Sequence, residues 1–163
     1  MALLIDAEAK SRMEAHHGQL VAGVADAVQR FELACLSWDG AEAEAAAAHL
    51  ESLLEGDVLP HAAGEEVSLY AAAQPLNGAL VRSLIEEHDT LRGLIAACKA
   101  STPDLGRPAG RLRYLGLAHA VSALFGAHAG KEDRFITPLL LERTPAGTLA
   151  RLFAEMHAAP VGA

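Results

Sequence analysis

Two segments of the chain pair a histidine with a glutamate four residues later. The first runs from His61 to Glu65 (HAAGE) and the second from His128 to Glu132 (HAGKE). On an α-helix, this spacing places both side chains on one face, one turn apart. Each pair lies within an apolar stripe, where burying an imidazole and a carboxylate is costly unless something compensates. A metal ion compensates because it binds imidazole nitrogen and carboxylate oxygen directly, so the segments predict a buried metal site.

Apolar residues recur at spacings of three and four along most of the chain, which predicts long amphipathic helices. The predicted ranges are 6–36, 41–73 and 111–142, with a third helix whose apolar stripe runs from 80 to 98 and a shorter fifth helix at about 146–157. Asp6 is the predicted N-cap of the first helix, and Thr144 followed by Pro145 has the pattern that begins the fifth. Short connections between long helices predict an all-α, antiparallel up-down-up-down four-helix bundle with a short C-terminal fifth helix.

Turn residues and prolines set the expected breaks between these helices. Residues 38–40, 74–78 and 101–110 are expected to form a turn, a connection and a loop. Pro60 is expected to kink or divide the second helix near Gly56, because proline lacks a backbone N–H. Pro138 is expected to end the regular part of the fourth helix early.

Composition and charge exclude several classes of protein. The chain has 163 residues, of which 52% are hydrophobic and 4% aromatic, which favours a helical core in a single domain covering residues 1–163. A net charge of −8 argues against nucleic acid or an anionic membrane as partner. No apolar run approaches the roughly 20 residues that cross a bilayer. With only Cys35 and Cys98 and no basic, apolar leader pattern, we expect a reduced, cytoplasmic protein.

The heights of the polar residues along the bundle indicate that they meet. Counting at 1.5 Å per residue from the turns places His17 level with His61, and Glu65 level with His88. His128 lies one to two turns from the level of His88, a mismatch that the ten-residue loop can absorb. The predicted layer therefore holds four histidines and two carboxylates: His17, His61, Glu65, His88, His128 and Glu132.

Each of these signals is weak when it is taken alone. With eight histidines, roughly one such pair is expected by chance, and a histidine on an apolar face is usually a core residue. His49, His119 and His157 fall on other faces or near the C-terminus and are expected to be surface or structural residues. A bundle without metal, serving a structural or partner-binding role, is therefore the alternative hypothesis.

Around these residues the sequence resembles the hemerythrin-like, or HHE cation-binding, domains. The resemblance covers about residues 10–143, and the segments that carry it are 61–66 (HAAGEE), 87–92 (EHDTLR), 128–135 (HAGKEDRF) and 138–140 (PLL). It implies a non-haem di-iron centre with a bridging solvent oxygen. His17 and His61 would bind one iron, His88 and His128 the other, and Glu65 and Glu132 would bridge. Zinc or manganese also suits these donors.

The sequence departs from the oxygen-carrying hemerythrins at helix three, where a second histidine would lie one turn from His88. Those positions here are Leu84 and Arg92, which weighs against reversible oxygen carriage. The resemblance still implies a small-molecule partner: dioxygen, peroxide or nitric oxide, which the protein would sense, carry or detoxify. A peroxide-decomposing di-iron enzyme is the alternative.

Two ligand assignments have neighbours that compete with them. His17 is preferred over His16 because it leads the apolar stripe, and Glu132 over Asp133 because it matches the HHE pattern. The residues expected to orient the imidazoles are Glu66, Glu87, Asp89 and Arg92, while Tyr70 and Tyr114 could border the pocket. Tyr114 lies about 21 Å from His128 along the helix axis, which is too far for a ligand.

Overall fold

The protein is described here by a computed structural model that covers residues 2–37 and 40–158, without the side chains of residues 2, 3, 157 and 158. Within this part of the chain every regular element is helical, as the sequence predicts. Helix α1 spans Ala2–Leu36, α2 runs from Gly40 to Ala73, α3 spans Gly78–Ser101, α4 runs from Pro108 to Arg143 and α5 spans Thr148–Ala158. A 3₁₀ turn, Thr102–Asp104, links α3 to α4. Residues 38–39 of the predicted first turn lie outside the described residues.

Wider π-helical turns interrupt α2 and α4 without ending them. Helix α2 consists of Gly40–Leu53, a π turn at Leu54–Val58, Leu59–Glu65, a second π turn at Glu66–Tyr70, and Ala71–Ala73. Helix α4 consists of Pro108–Lys131, a π turn at Glu132–Ile136, and Thr137–Arg143.

Two of the π turns end two residues before a proline. Pro60 and Pro138 follow the turns Leu54–Val58 and Glu132–Ile136 by two residues. Proline has no backbone N–H and cannot donate the ordinary i→i−4 hydrogen bond. The wider π turn lets the helix continue although this bond is missing. The regular part of α4 therefore ends early, as Pro138 predicts, but the helix resumes and continues to Arg143.

The π turn in α4 corrects the predicted buried stripe. A regular helical period continued from His128 and Glu132 would bury Phe135 and Leu139, but Phe135 is 48% exposed, and Ile136 and Leu140 are fully buried instead. A π turn contains one residue more than an α-helical turn, so every later side chain is displaced by one position. A strict helical period cannot predict this shift.

Asp6 caps a different helix from the one expected. Helix α1 begins before it, at Ala2, so Asp6 lies inside the helix and is buried against α5. Its carboxylate accepts hydrogen bonds from the backbone N–H groups of Gly147, at 2.5 Å, and Ala150, at 3.1 Å. Asp6 therefore provides the hydrogen-bond acceptor for the backbone N–H groups at the start of α5, which begins at Thr148 rather than at residue 146. The hydroxyl of Thr144, the expected cap, donates to the carbonyl of Leu140 instead.

The core is divided into two apolar clusters with a polar layer between them. One cluster includes Phe31, Leu50, Ile95 and Tyr114, and the other includes Met13, Leu69, Leu140 and Leu152. The buried histidines and glutamates fall between these clusters along each long helix. No helix of the described chain combines the length and apolar character needed to span a membrane.

Candidate metal centre

Six buried side chains from the four long helices converge in the polar layer. None is more than 7% exposed, and they are the six predicted from the sequence: His17, His61, Glu65, His88, His128 and Glu132. The expected height mismatch between His88 and His128 does not persist, since their ring centroids lie 4.4 Å apart.

The six side chains form two overlapping groups that could each hold a cation. One group contains His17 and His61, the other contains His88 and His128, and Glu65 and Glu132 belong to both. Within each group, one donor atom from every residue lies within 4.8 Å of the others. Two nitrogens and two shared carboxylates per group form a donor set suited to iron, zinc or manganese.

Glu65 faces both histidine pairs with different oxygens. Its Oε1 lies 2.8 Å from His61 Nε2 and 3.2 Å from His17 Nε2. Its Oε2 lies 3.5 Å from His88 Nε2. Glu132 also spans the layer, since its Oε2 lies 3.7 Å from His17 Nε2 and 3.6 Å from His128 Nε2.

Three donor atoms in this layer are buried without a hydrogen-bond partner among the described residues: His61 Nε2, Glu65 Oε2 and Glu132 Oε2. His61 Nε2 is close to Glu65 Oε1, but the two atoms are not aligned for a hydrogen bond. Buried polar atoms without partners are rare in folded proteins because their desolvation is costly. Three of them aimed into one layer fit a bound cation.

Electrostatics within the layer also favour a cation. Burial opposes ionisation of Glu65, but His61, His17 and His88 outweigh it and hold the pKa of this carboxyl well below its usual range. Burial and the neighbouring charge of Glu65 raise the pKa of Glu132. Two carboxylates this close in an apolar layer repel each other unless a positive charge lies between them.

The family comparison agrees with this geometry. Residues 8–140 match the model of the hemerythrin HHE cation binding domain. The chain belongs to this hemerythrin HHE family. Comparison with curated proteins and with solved structures gave no significant match. The family and the buried histidine–glutamate cluster together identify a metal-binding, hemerythrin-like protein.

Three histidines of this hemerythrin-like site are oriented by carboxylates from a neighbouring helix. His17 Nδ1 bonds Asp133 at 2.7 Å, His88 Nδ1 bonds Glu66 at 2.8 Å, and His128 Nδ1 bonds Glu87 at 3.0 Å. Each bond fixes the ring so that Nε2 points into the layer. Burial would lower the pKa of His17, but its bonds to Asp133 and Glu65 raise it to about 10.

The structure separates the competing neighbours of the sequence prediction. His17 Nε2 points into the layer, whereas the half-buried His16 packs its ring edge against His61. Glu132 lies in the layer, whereas Asp133 orients His17 from outside it. The sequence suggested Asp133 only as a competing ligand, because its partner lies 116 residues away.

The other predicted residues around the site divide into contributors and bystanders. Arg92 donates to Glu66 at 2.6 Å and so supports His88 indirectly, while Asp89 is 70% exposed and bonds Arg92 alone within the described chain. Tyr114 lies in the apolar cluster, where its hydroxyl donates to the Ala47 carbonyl. His49 and His119 are exposed, and the side chain of His157 lies outside the described residues.

Tyr70 enters the layer beside the second histidine pair. Its hydroxyl donates to Glu132 Oε1 at 2.5 Å and lies 3.1 Å from His128 Nε2, and its ring stacks on His88. In a regular helix, a residue five positions after Glu65 would point elsewhere, but the π turn Glu66–Tyr70 returns it to the same face. Such turns recur at functional sites.

Proposed function

We propose that this hemerythrin-like protein holds two iron ions, one between His17 and His61 and the other between His88 and His128. Glu65 and Glu132 would bridge them. The observation that carries the proposal is the arrangement of Glu65, whose two oxygens face opposite histidine pairs. Zinc or manganese would use the same donors, so metal analysis is part of the test.

We further propose that the centre serves to bind dioxygen, peroxide or nitric oxide, and so to sense, carry or detoxify it. An iron pair supplies redox chemistry toward these molecules. The surrounding residues keep bulk water out, since apolar clusters lie on both sides of the layer. The free thiols Cys35 and Cys98 support a cytoplasmic setting.

A peroxide-decomposing enzyme is the second candidate, and the surroundings of His88 favour it. Leu84 is fully buried in an apolar cluster, and Arg92 bonds Glu66 and Asp89 outside the layer. Neither contributes a nitrogen, so the second group has two histidines, the same number as the first. The hydroxyl of Tyr70 lies beside this group and holds a proton on its bond to Glu132 Oε1. An ion bound by so few protein donors would leave room for an oxidant, which suits turnover more than reversible storage. Burial and the charge of Glu132 raise the pKa of Tyr70, so its hydroxyl would hold Glu132 in place rather than supply a proton.

The decisive experiment combines metal analysis with rapid mixing. Protein produced with ample iron should contain two irons per chain and show the near-ultraviolet charge-transfer bands of an oxo-bridged ferric pair. One ion or none per chain would contradict the di-iron proposal. The diferrous protein is then mixed with oxygen in a stopped-flow instrument.

Rapid oxidation in air, with consumption of peroxide by the ferric form, supports the enzyme. A stable adduct that releases oxygen under argon, with no peroxide consumption, supports a carrier. The Glu65→Ala variant serves as the control for oxidation by iron that is not bound in the layer.

A further inference from the structure

A second recess lies far from the metal centre, between the end of α1 and the beginning of α4. Its volume is about 240 Å³, and its apolar lining comes from Leu36, Pro108, Leu112 and Leu115. One cation, Arg111, also lines it. Arg111 precedes His128 by 17 residues, which is about 25 Å along the helix axis. The recess is therefore separate from the proposed iron site.

Arg111 is mostly buried and has no direct ion-pair partner among the described residues. Only 7% of the residue is exposed, yet its guanidinium donates no hydrogen bond and forms no ion pair with any part of the chain that the structure describes. Burying an arginine in this way is costly, and buried charges in proteins are normally paired. Its charge is therefore available to a partner that enters the recess.

We propose that the recess binds a small monocarboxylate with a short apolar tail. The planar guanidinium matches a carboxylate with two parallel hydrogen bonds, and the surrounding leucines accept the tail. The recess is smaller than the roughly 300–1,000 Å³ pockets that hold drug-sized ligands, so the ligand is small. Leu36 and Leu112 are 69% and 70% exposed and extend the apolar surface toward solvent.

The position of Glu32 explains the preference for a single negative charge. This carboxylate also lines the recess, is about half exposed, and lies 3.8 Å from His119 Nε2. A second negative group on the ligand would be repelled by Glu32. The negative end of the α1 dipole adds to this repulsion, so a dicarboxylate or phosphate fits less well.

Cys35 gives a direct readout of occupancy. It lines the recess and is partly exposed, whereas Cys98 is fully buried in the core and acts as an internal control. Hexanoate is the probe, and the rate of Cys35 alkylation by iodoacetamide is measured by mass spectrometry at matched ionic strength. At a hexanoate concentration ten times the Kd, the rate should fall about tenfold.

Hexanol and hexylammonium test the charge, and acetate tests the tail. The proposal requires hexanoate to protect Cys35 more strongly than any of them. Equal protection by hexanol would show a merely apolar groove, and absence of protection by hexanoate would show that Arg111 only neutralises the end of α1. Either result overturns the proposal, and neither bears on the iron content.

A matched pair of arginine variants completes the test. Arg111→Met keeps the apolar stem and removes the charge, and it should abolish protection by hexanoate. Arg113→Met removes an exposed arginine two residues away on the same helix and should leave protection unchanged. Circular dichroism verifies that each variant is folded. If hexanoate still protects Cys35 in Arg111→Met, Arg111 is not the group that binds the carboxylate. If this variant does not fold, the comparison of hexanoate with hexanol on the wild-type protein decides the proposal.

Discussion

The segments His61–Glu65 and His128–Glu132 have the same spacing but different surroundings. Both supply a buried histidine and a glutamate one turn later; a π turn begins directly after Glu65 in the first and at Glu132 itself in the second. The first segment is packed under α5, where Met156 lies against Gly64. The second has no such cover at Gly130, but its His128 contacts Tyr70 and Glu87.

The two segments share the feature that a metal site in the layer requires, and they differ in the residues packed around it. The shared feature is a carboxylate that reaches both histidine pairs, which is why we assign the bridging role to Glu65 and Glu132. The differences lie in the contacts around them: tight helix packing beside His61, and polar groups beside His128. Variants in matched positions can therefore test the two halves separately.

The largest expected effect is the loss of both ions when a bridging carboxylate is removed. Glu65→Ala or Glu132→Ala should leave almost no bound iron, because each serves both groups. Glu66→Ala and Asp133→Ala are the controls, since they only orient histidines and should weaken affinity by about 10–100-fold. Iron per chain is measured after loading with excess metal. If Asp133→Ala empties the site while Glu132→Ala does not, the assignment in α4 is wrong by one residue.

The next effect is the loss of one ion of the two. His61→Ala removes a donor from the first group alone, and His128→Ala from the second alone. Each variant should retain about one ion per chain, because the other group keeps its two nitrogens. His119→Ala, at an exposed position on α4, should retain both. Loss of both ions from either single-site variant would argue against two separable positions.

A smaller effect is expected for the hydroxyl group that distinguishes the second segment. Tyr70→Phe leaves Glu132 Oε1 without its donor in a buried layer, which should cost the metal-free protein about 1–3 kcal/mol. Tyr114→Phe is the matched control, since its hydroxyl bonds are longer, at 3.3 Å. Urea unfolding of both variants gives the comparison. If both variants lose the same free energy of unfolding, the short bond between Tyr70 and Glu132 adds no more stability than the longer bonds of Tyr114.

Substitutions at the two glycines should change stability with opposite signs, and the smallest effect of all is expected at Gly130. A Cβ at Gly64 would lie 2.7 Å from the backbone oxygen of Met156, so Gly64→Ala should displace α5 and cost about 1–3 kcal/mol. A Cβ at Gly130 meets no atom within 4 Å, so Gly130→Ala should stabilise the helix by about 0.5–1 kcal/mol. Thermal unfolding measures both. A fall in Tm for Gly130→Ala would contradict the packing difference between the segments.

The helices and the polar layer could be predicted because both depend on local periodicity. Apolar spacing located all five helices, and counting from the turns brought residues of four helices to one level. The period failed where it changed: the π turn before Pro138 buried Ile136 in place of Phe135. The π turn Glu66–Tyr70 also lies outside a regular period, so spacing alone did not predict that the Tyr70 hydroxyl reaches His128.

Contacts between distant parts of the chain were also beyond a local pattern. Aspartate is a common N-cap residue, and Asp6 does cap a helix, but that helix begins more than 140 residues later. Asp133 has the spacing of a ligand, yet it bonds the outer nitrogen of His17. In both cases the residue type indicated the chemistry, and only the packing of the helices determined the partner.

The histidine–carboxylate bonds on the outside of the layer have a consequence for the protein before it meets a metal. Asp133 ties α4 to α1, Glu66 ties α2 to α3, and Glu87 ties α3 to α4. Because these bonds use the outer ring nitrogens, we expect them to hold the three imidazoles in place without help from an ion, unlike small zinc domains, in which the ion drives folding. We therefore expect metal to load and leave while the bundle stays folded, and the fixed spacing of the donors to favour cations of matching size and geometry.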